Sequence, residues 1–382
     1  MPYWIWCIFL FLFGCCAGSF LNVVIYRMPR EKSLISPPSA CPACNRRIAF
    51  YDNIPLLSWL LLRAKCRYCK APISPRYFVI ELLTGLLFAV LFLLYFRFGV
   101  RAGVGPLIKG SWLIYLLHVI LLSAFIAASA IDMELWIIPL PICWFVTAVG
   151  FIGSALGIYI IEPSVVRGYA LLPSASANVA SLTTGAAIGL GISWLLLATG
   201  ILKRSYESED AASPTDHQNV IDEKNFKHRL EICKEIVFLL PIVACSLAAY
   251  HIIRQYPAIR AWWMDFSQHP AIAGFLGSLW GYFVGCGVVW ATRIFGTLGF
   301  GKEAMGLGDV HLMGAAGAVI GPVFVVAAFF VAPFFGLAWA GFQMFFKKTR
   351  QIPYGSFLSL GILTVMILHD RIFRYLMFIF YH

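Results

Sequence analysis

Long apolar runs recur through this chain with barely a charge inside them, and they constrain the fold more than any other feature. A helix rises about 1.5 Å per residue and pairs its own backbone polar groups, so roughly 20 apolar residues are enough to cross the hydrocarbon of a bilayer. Runs of this kind are Tyr3–Tyr26, Phe78–Phe98, Trp112–Ile131, Trp136–Ile161, Val179–Leu202, Val237–Ile253 and Ala271–Val289. Val310–Phe346 is too long for one simple span and reads as a short re-entrant piece followed by a full span; whether 310–321 crosses is left open. Phe357–Leu368 begins a last span. Composition agrees, since 12% of the 382 residues are charged and 60% hydrophobic, against about 25% charged in a soluble domain. The expected fold is an all-α polytopic membrane protein of about eight or nine transmembrane helices.

The net charge of +11 raises the possibility of a nucleic-acid partner. Its placement argues otherwise. With Arg27–Arg76 on the cytoplasmic side and alternating spans, the inside loops hold about 20 of the 29 Lys and Arg and the outside loops about 6. The basic excess therefore sets orientation, with anionic membrane lipid as its nearest partner and no nucleic acid. Phe13-Gly14-Cys15 faintly resembles a lipoprotein cleavage site, but no basic residue precedes the first apolar run. An uncleaved first span with an outside N-terminus is expected instead of a signal peptide.

Three regions follow: a first span over 1–26, a polar cytoplasmic island over 27–77, and a transmembrane bundle over 78–382. Within the bundle, 203–234 reads as a flexible, solvated cytoplasmic loop that ends in a short amphipathic helix. The paired Trp262 and Trp263 fit an interfacial anchor. No internal repeat is evident.

The island carries Cys41-x-x-Cys44 and Cys66-x-x-Cys69. Two such turns can bring four thiolates to one point, the donor set of a closed, structural zinc site. So small a region has little core of its own, and metal would supply the missing stability. Disulfides or a redox dithiol are the alternatives, disfavoured by the cytoplasmic placement. The other cysteines read as small packing residues.

An ionisable group in or beside a span is expensive and is a functional candidate. Glu81, Asp132, Glu134 and Asp309 are of this kind. Asp132 and Glu134 are two apart and point to different sides of a helix, and Pro139 marks the start or a kink of the next span. Asp309 follows Gly306 and Gly308, expected to let the backbone bend, and precedes a small-residue face of Gly314, Gly317 and neighbouring alanines. Asp132 and Asp309, 177 positions apart, fall at one cytoplasmic depth in this topology. Two carboxyls there can divide acid and base roles on one water without a metal. The bland alternatives are a snorkelling aspartate or a helix-terminal aspartate favoured by the dipole. On these residues alone a proton-coupled transporter serves as well as an enzyme.

At these positions the sequence resembles the bacterial type IV prepilin peptidase / N-methyltransferase family of GxGD-type aspartic membrane proteases. The resemblance rests on six segments in order: GSFLNVVIYRMPR from Gly18, the CPAC-to-ISPRY island, IELLTGLLF from Ile80, Asp132 with Ile138-Pro139, GLGDVHLMGAAGA, and QIPYGSFLSLG from Gln351. It implies an endopeptidase of the bacterial inner membrane that cleaves leaders of type IV prepilins or type II secretion pseudopilins, with Asp132 and Asp309 as catalytic pair. It further implies S-adenosylmethionine-dependent N-methylation of the new N-terminus, with the zinc island serving that step; a peptidase-only member is the variant reading. Glu81 is a candidate for the methyl-transfer site, or else a residue that caps and orients its span. No glycine-rich motif for S-adenosylmethionine is visible, so that cofactor comes from the resemblance alone. His311, Leu140, Phe78, Tyr354 and Ser356 depart from the usual family residues, and 162–268 is expanded. Asn22 is expected to make an interhelical hydrogen bond, Arg27 and Arg30 to set topology, and His311 to face the loop interior.

Overall fold

The computed structural model describes residues 2–107, 110–202, 220–346 and 353–381. All regular structure among them is helical: α1 (Tyr3–Arg27), α2 (Leu57–Leu61), α3 (Pro75–Phe92, continued by a π-turn over Leu93–Arg97), α4 (Ser111–Leu135), α5 (Leu140–Ile160), α6 (Pro163–Gly168), α7 (Ala177–Ala198), α8 (Val220–Gln255), α9 (Pro257–Gln268), α10 (Pro270–Phe300), α11 (Leu307–Ile320), α12 (Pro322–Phe346), α13 (Tyr354–Ile367) and α14 (His369–Tyr381). Eight of these, α1, α3, α4, α5, α7, α8, α10 and α12, are long and apolar enough to cross a membrane, and α13 with α14 makes a ninth if that pair, bent by 73°, is one span. The protein is thus a multi-pass membrane protein with the expected number of crossings.

Two boundaries carry information. Ile142 N–H donates to the Pro139 carbonyl at 3.1 Å, so Pro139 starts α5 as expected. The stretch Val310–Phe346 divides into α11 and α12. With 14 residues, α11 is about 21 Å long, short of the roughly 30 Å hydrocarbon. Of the expected loop over 203–234, residues 203–219 lie outside the described residues. From Val220 the chain is already helix and runs unbroken for 36 residues through Pro241, longer than the short amphipathic piece expected. Its Glu, Lys, Arg and Leu content favours that continuation.

The chain divides into two compact units, Met1–Val146 with Val331–His382, and Thr147–Phe330. In the first, α1 and α3 lie in backbone contact. A Cβ on Gly18 would stand 2.7 Å from the Glu81 Cα, so only glycine fits there. Hydrogen bonds from Tyr115 to the Phe88 carbonyl (2.9 Å) and from Ser129 to Ser359 (3.1 Å) attach α4 to α3 and to α13.

In the second unit the small-residue face of α11 meets α10. A Cβ on Gly281 would lie 2.0 Å from the Gly317 carbonyl oxygen, and one on Gly285 2.2 Å from that of Met313. Ser278 adds a hydroxyl hydrogen bond to the Ala318 carbonyl at 2.5 Å. This is the close approach expected from the sequence. The tryptophan pair is a correction. Trp262 is exposed, but Trp263 is buried and its indole N–H donates to the Ala177 carbonyl at 3.0 Å. Neighbours on a helix point about 100° apart, so both could not face the interface.

Candidate functional site

The four cysteines come together. Their sulfurs all lie within 4.8 Å of one another, and Cys41 Sγ is 3.7 Å from Cys69 Sγ. A tetrahedron with metal–sulfur bonds of about 2.3 Å has sulfur–sulfur edges of about 3.8 Å, so the donor set fits one zinc-sized ion. The same local turn builds both halves. Cys41 N–H donates to the Arg46 carbonyl (3.0 Å) and Asn45 N–H back to the Cys41 carbonyl (2.8 Å); Cys66 with Ala71 and Lys70 repeats this at 2.8 and 3.0 Å. Asn45 and Lys70 both adopt left-handed backbone, with φ of 55° and 59°. This repeat, offset by 25 residues, is absent from the sequence reading, because apart from the cysteines the two turns share almost no side chains. Backbone N–H groups of Cys69 and Tyr68 hold the Cys66 thiol down to about 6. Cys69 is pulled down by the Ala71 N–H, but burial and the neighbouring sulfurs outweigh that and push it up to about 11. Arg67 grips Asp52 through both carboxylate oxygens (2.6 and 2.8 Å), which fastens the turn over Phe50–Asn53 to the second knuckle and lowers the Asp52 carboxyl below its usual range.

Beside this island a cavity of about 510 Å³ lies against the ends of α1 and α3, lined among others by Asn22, Tyr26, Arg27, Trp59, Tyr77 and Glu81. Glu81 is buried, faces Ser19 of α1, and accepts the Leu56 N–H at 2.8 Å. Leu56 has φ 60°, an uncommon conformation for a leucine. Glu81 therefore ties the start of α2 to the α1–α3 pair and also borders the cavity. Asn22 donates to the Tyr77 carbonyl at 3.0 Å, the interhelical bond expected of it. Arg27 does more than set orientation: it donates to the Ser33 and Pro37 carbonyls at 2.9 and 2.6 Å and so shapes the chain leaving α1.

Asp132 sits in the last turn of α4 and is buried, while Glu134 is turned away and pairs with Arg76. A carboxylate near a helix C-terminus is disfavoured by its own helix. The reading of Asp132 as a dipole-favoured terminal residue therefore does not hold. Its support comes from another helix. The Ser356 N–H donates to Asp132 Oδ2 at 3.3 Å with the Gly355 backbone beside it, and the Ser356 hydroxyl donates to the Ser129 carbonyl of α4 at 3.3 Å. Gly355 and Ser356 belong to the first turn of α13, whose N–H groups have no partners within the helix. The late YGSF segment is thus the cradle of Asp132, although Gln351 and Ile352 of that motif lie outside the described residues.

Asp309 occupies the first turn of α11 and is also buried. Here the dipole favours the charge directly. Gly306 caps the helix with φ −74° and ψ 151°, a conformation open to any residue, and a Cβ there would meet only ordinary contacts near 3.7 Å. The expected glycine bend is not what the backbone shows, because a helix N-cap is normally extended. His311 hydrogen-bonds Tyr282 of α10 through Nδ1 at 3.2 Å and does not face the loop interior. Each aspartate is thus a buried carboxyl at the start of a helix, one on its own helix and one on a neighbour. The sequence reading missed the ion-pair cluster in which buried Arg293 of α10 joins Glu235 of α8 to the partly exposed Glu303 in the loop before α11. Isolated Arg and Glu positions up to 58 residues apart carry no local signal of pairing.

Residues 12–95 match the family described as bacterial peptidase A24 N-terminal domain, and residues 233–341 match the type IV leader peptidase family. The first match contains the four cysteines and Glu81, the second contains Asp309, and Asp132 lies between them. A prepilin leader peptidase/N-methyltransferase of Myxococcus xanthus is 47% identical over 35% of this chain and 36% of its own length. One of Klebsiella pneumoniae is 41% identical over 37% of this chain and 60% of its length. One of Aeromonas hydrophila is 33% identical over 52% and 73%. The chain thus spans less than two thirds of the length of the first two. No solved structure matches the chain.

Proposed function

We propose, from the premise that this chain belongs to the type IV leader peptidase family, that it is an endopeptidase which removes the leader of type IV prepilins or type II secretion pseudopilins at the cytoplasmic face of the bacterial inner membrane. Asp132 and Asp309 are the two working carboxyls in this reading. One takes a proton from water as the water oxygen attacks the scissile carbonyl carbon; the other donates its proton to the carbonyl oxygen. Collapse of the tetrahedral intermediate breaks the C–N bond, and a proton passes to the leaving nitrogen. The observation that carries the reading is the cradle of Asp132: first-turn amides of α13 hold a buried carboxylate that its own helix disfavours. Asp132→Asn and Asp309→Asn should each abolish cleavage of a model prepilin while the protein still inserts. Normal processing by either variant removes that residue from the reaction.

The second activity in this reading is N-methylation of the new N-terminus. S-adenosylmethionine would supply the methyl group from a sulfonium centre. The cavity beside the island suits that ligand: about 510 Å³ lies within the range of small-molecule sites. Glu81 offers a carboxylate to the cationic part of such a ligand and Trp59 an aromatic ring, while the lining arginines suit its carboxylate; the Tyr26 and Tyr77 rings already face Arg30 and Arg76. Glu81 and Asn22 would hold and orient the ligand. The metal of the four-cysteine cluster is read as zinc, which would join the two knuckles and fix one wall of the cavity. Incubation with a prepilin and S-adenosylmethionine, followed by mass measurement, tests this. A cleaved product that never gains a methyl group would leave a peptidase alone.

A further inference from the structure

Arg293 of α10 is a fully buried guanidinium, 1% exposed. A charge in that position persists only with partners of opposite charge or with carbonyls. Its Nε donates to Glu235 of α8 at 3.0 Å, and Glu235 also takes the Trp290 indole N–H at 2.8 Å. Its Nη1 reaches forward to Glu303 and to the Met305 carbonyl. Both acceptors lie in the short loop 301–306 that joins α10 to α11. The same loop is tied twice to Thr297: Gly301 N–H donates to its carbonyl at 2.8 Å and Ala304 N–H to its hydroxyl at 3.2 Å. Met305 directly precedes the N-cap Gly306, and Asp309 follows in the first turn.

We infer that Arg293, anchored by Glu235, is a positioning residue for Asp309: it fixes the loop that sets where α11 starts, and so where the carboxyl stands relative to α10. The inference rests on the reading of Asp309 as catalytic. Stability alone does not account for the cluster, because a buried ion pair is often no more stabilising than apolar residues of the same volume. What the guanidinium supplies, and an apolar side chain does not, is a forked donor that holds a helix, a carboxylate and a backbone carbonyl in one geometry.

Arg293→Lys keeps the charge and loses the fork. It should lower kcat for prepilin cleavage about 100-fold with KM within about twofold, since a misplacement of about 1 Å costs that much. Substitution at so buried a charge also costs folding, so Glu303→Gln is the second arm. Its side chain is 44% exposed and its loss leaves the Arg293–Glu235 pair intact. It should lower kcat about 10-fold, again with KM unchanged and with an unaltered melting temperature. Asp309→Asn is assayed alongside. If Asp309→Asn is inactive while Arg293→Lys and Glu303→Gln keep kcat within about twofold, the positioning role is overturned and the reading of Asp309 stands. If both variants lose only folded protein, with normal kcat per folded molecule, the cluster is structural and the inference is overturned. If Asp309→Asn cleaves normally, the catalytic reading and this inference fall together.

Discussion

Replacing Gly281 by alanine tests how closely the position of Asp309 depends on helix packing. The added Cβ would lie 2.0 Å from the Gly317 carbonyl oxygen, and contacts under 3.0 Å are essentially never seen. The two backbones must then part by about 1 Å along that direction, with no flexible side chain available to yield. Two costs follow. Overpacking of this kind destabilises by about 1–3 kcal/mol. The displacement also carries α11, and with it Asp309, so kcat for prepilin cleavage should fall by roughly 100-fold. Gly287 supplies the control on the same helix, since a Cβ there meets nothing within 4 Å. Gly287→Ala should leave kcat unchanged and, through helix propensity, stabilise by up to about 1 kcal/mol. The assay is single-turnover cleavage by each purified variant in liposomes, with a thermal melt beside it. Gly281→Ala with wild-type kcat and melting temperature would refute the packing argument.

Three further outcomes are expected. Ser356→Ala keeps the backbone N–H on Asp132 and should cost about 1 kcal/mol or less, whereas Ser356→Pro removes that donor and should lower kcat at least about 10-fold, read from initial cleavage rates. Cys41→Ser should reduce bound zinc measured by elemental analysis, and a strong chelator should do the same to the native protein while sparing leader cleavage more than methylation. Trp263→Ala should destabilise by about 3–5 kcal/mol, through its buried ring and its bond to Ala177, and Trp262→Ala by less than about 1 kcal/mol, compared by thermal melts.

The helices were readable because a membrane span writes its length into a run of apolar residues, and Tyr3–Tyr26 or Ala271–Val289 differ from the observed helices mainly at their ends. The cysteine cluster was readable because CxxC spacing is local and each pair builds its own turn. The small-residue face of α11 was readable for a similar reason: glycines at Gly314 and Gly317 have little other use on an apolar helix. Partnerships across long stretches of chain were not readable. Nothing near Asp132 in sequence announces that its support comes from amides 224 positions later. Nothing marks Arg293 as the partner of Glu235, or Trp263 rather than Trp262 as the buried ring. These follow from which faces meet, a property of the packed helices and not of any single segment.

A double-mutant cycle tests the central claim most directly. Leader cleavage is measured for Asp132→Asn, Asp309→Asn and the double variant, each purified in folded form and given the same prepilin. Two groups that act together on one water lose nearly everything with the first substitution, so the double variant should be no slower than the slower single one. Defects that multiply in the double variant would mean that the two carboxyls serve separate tasks.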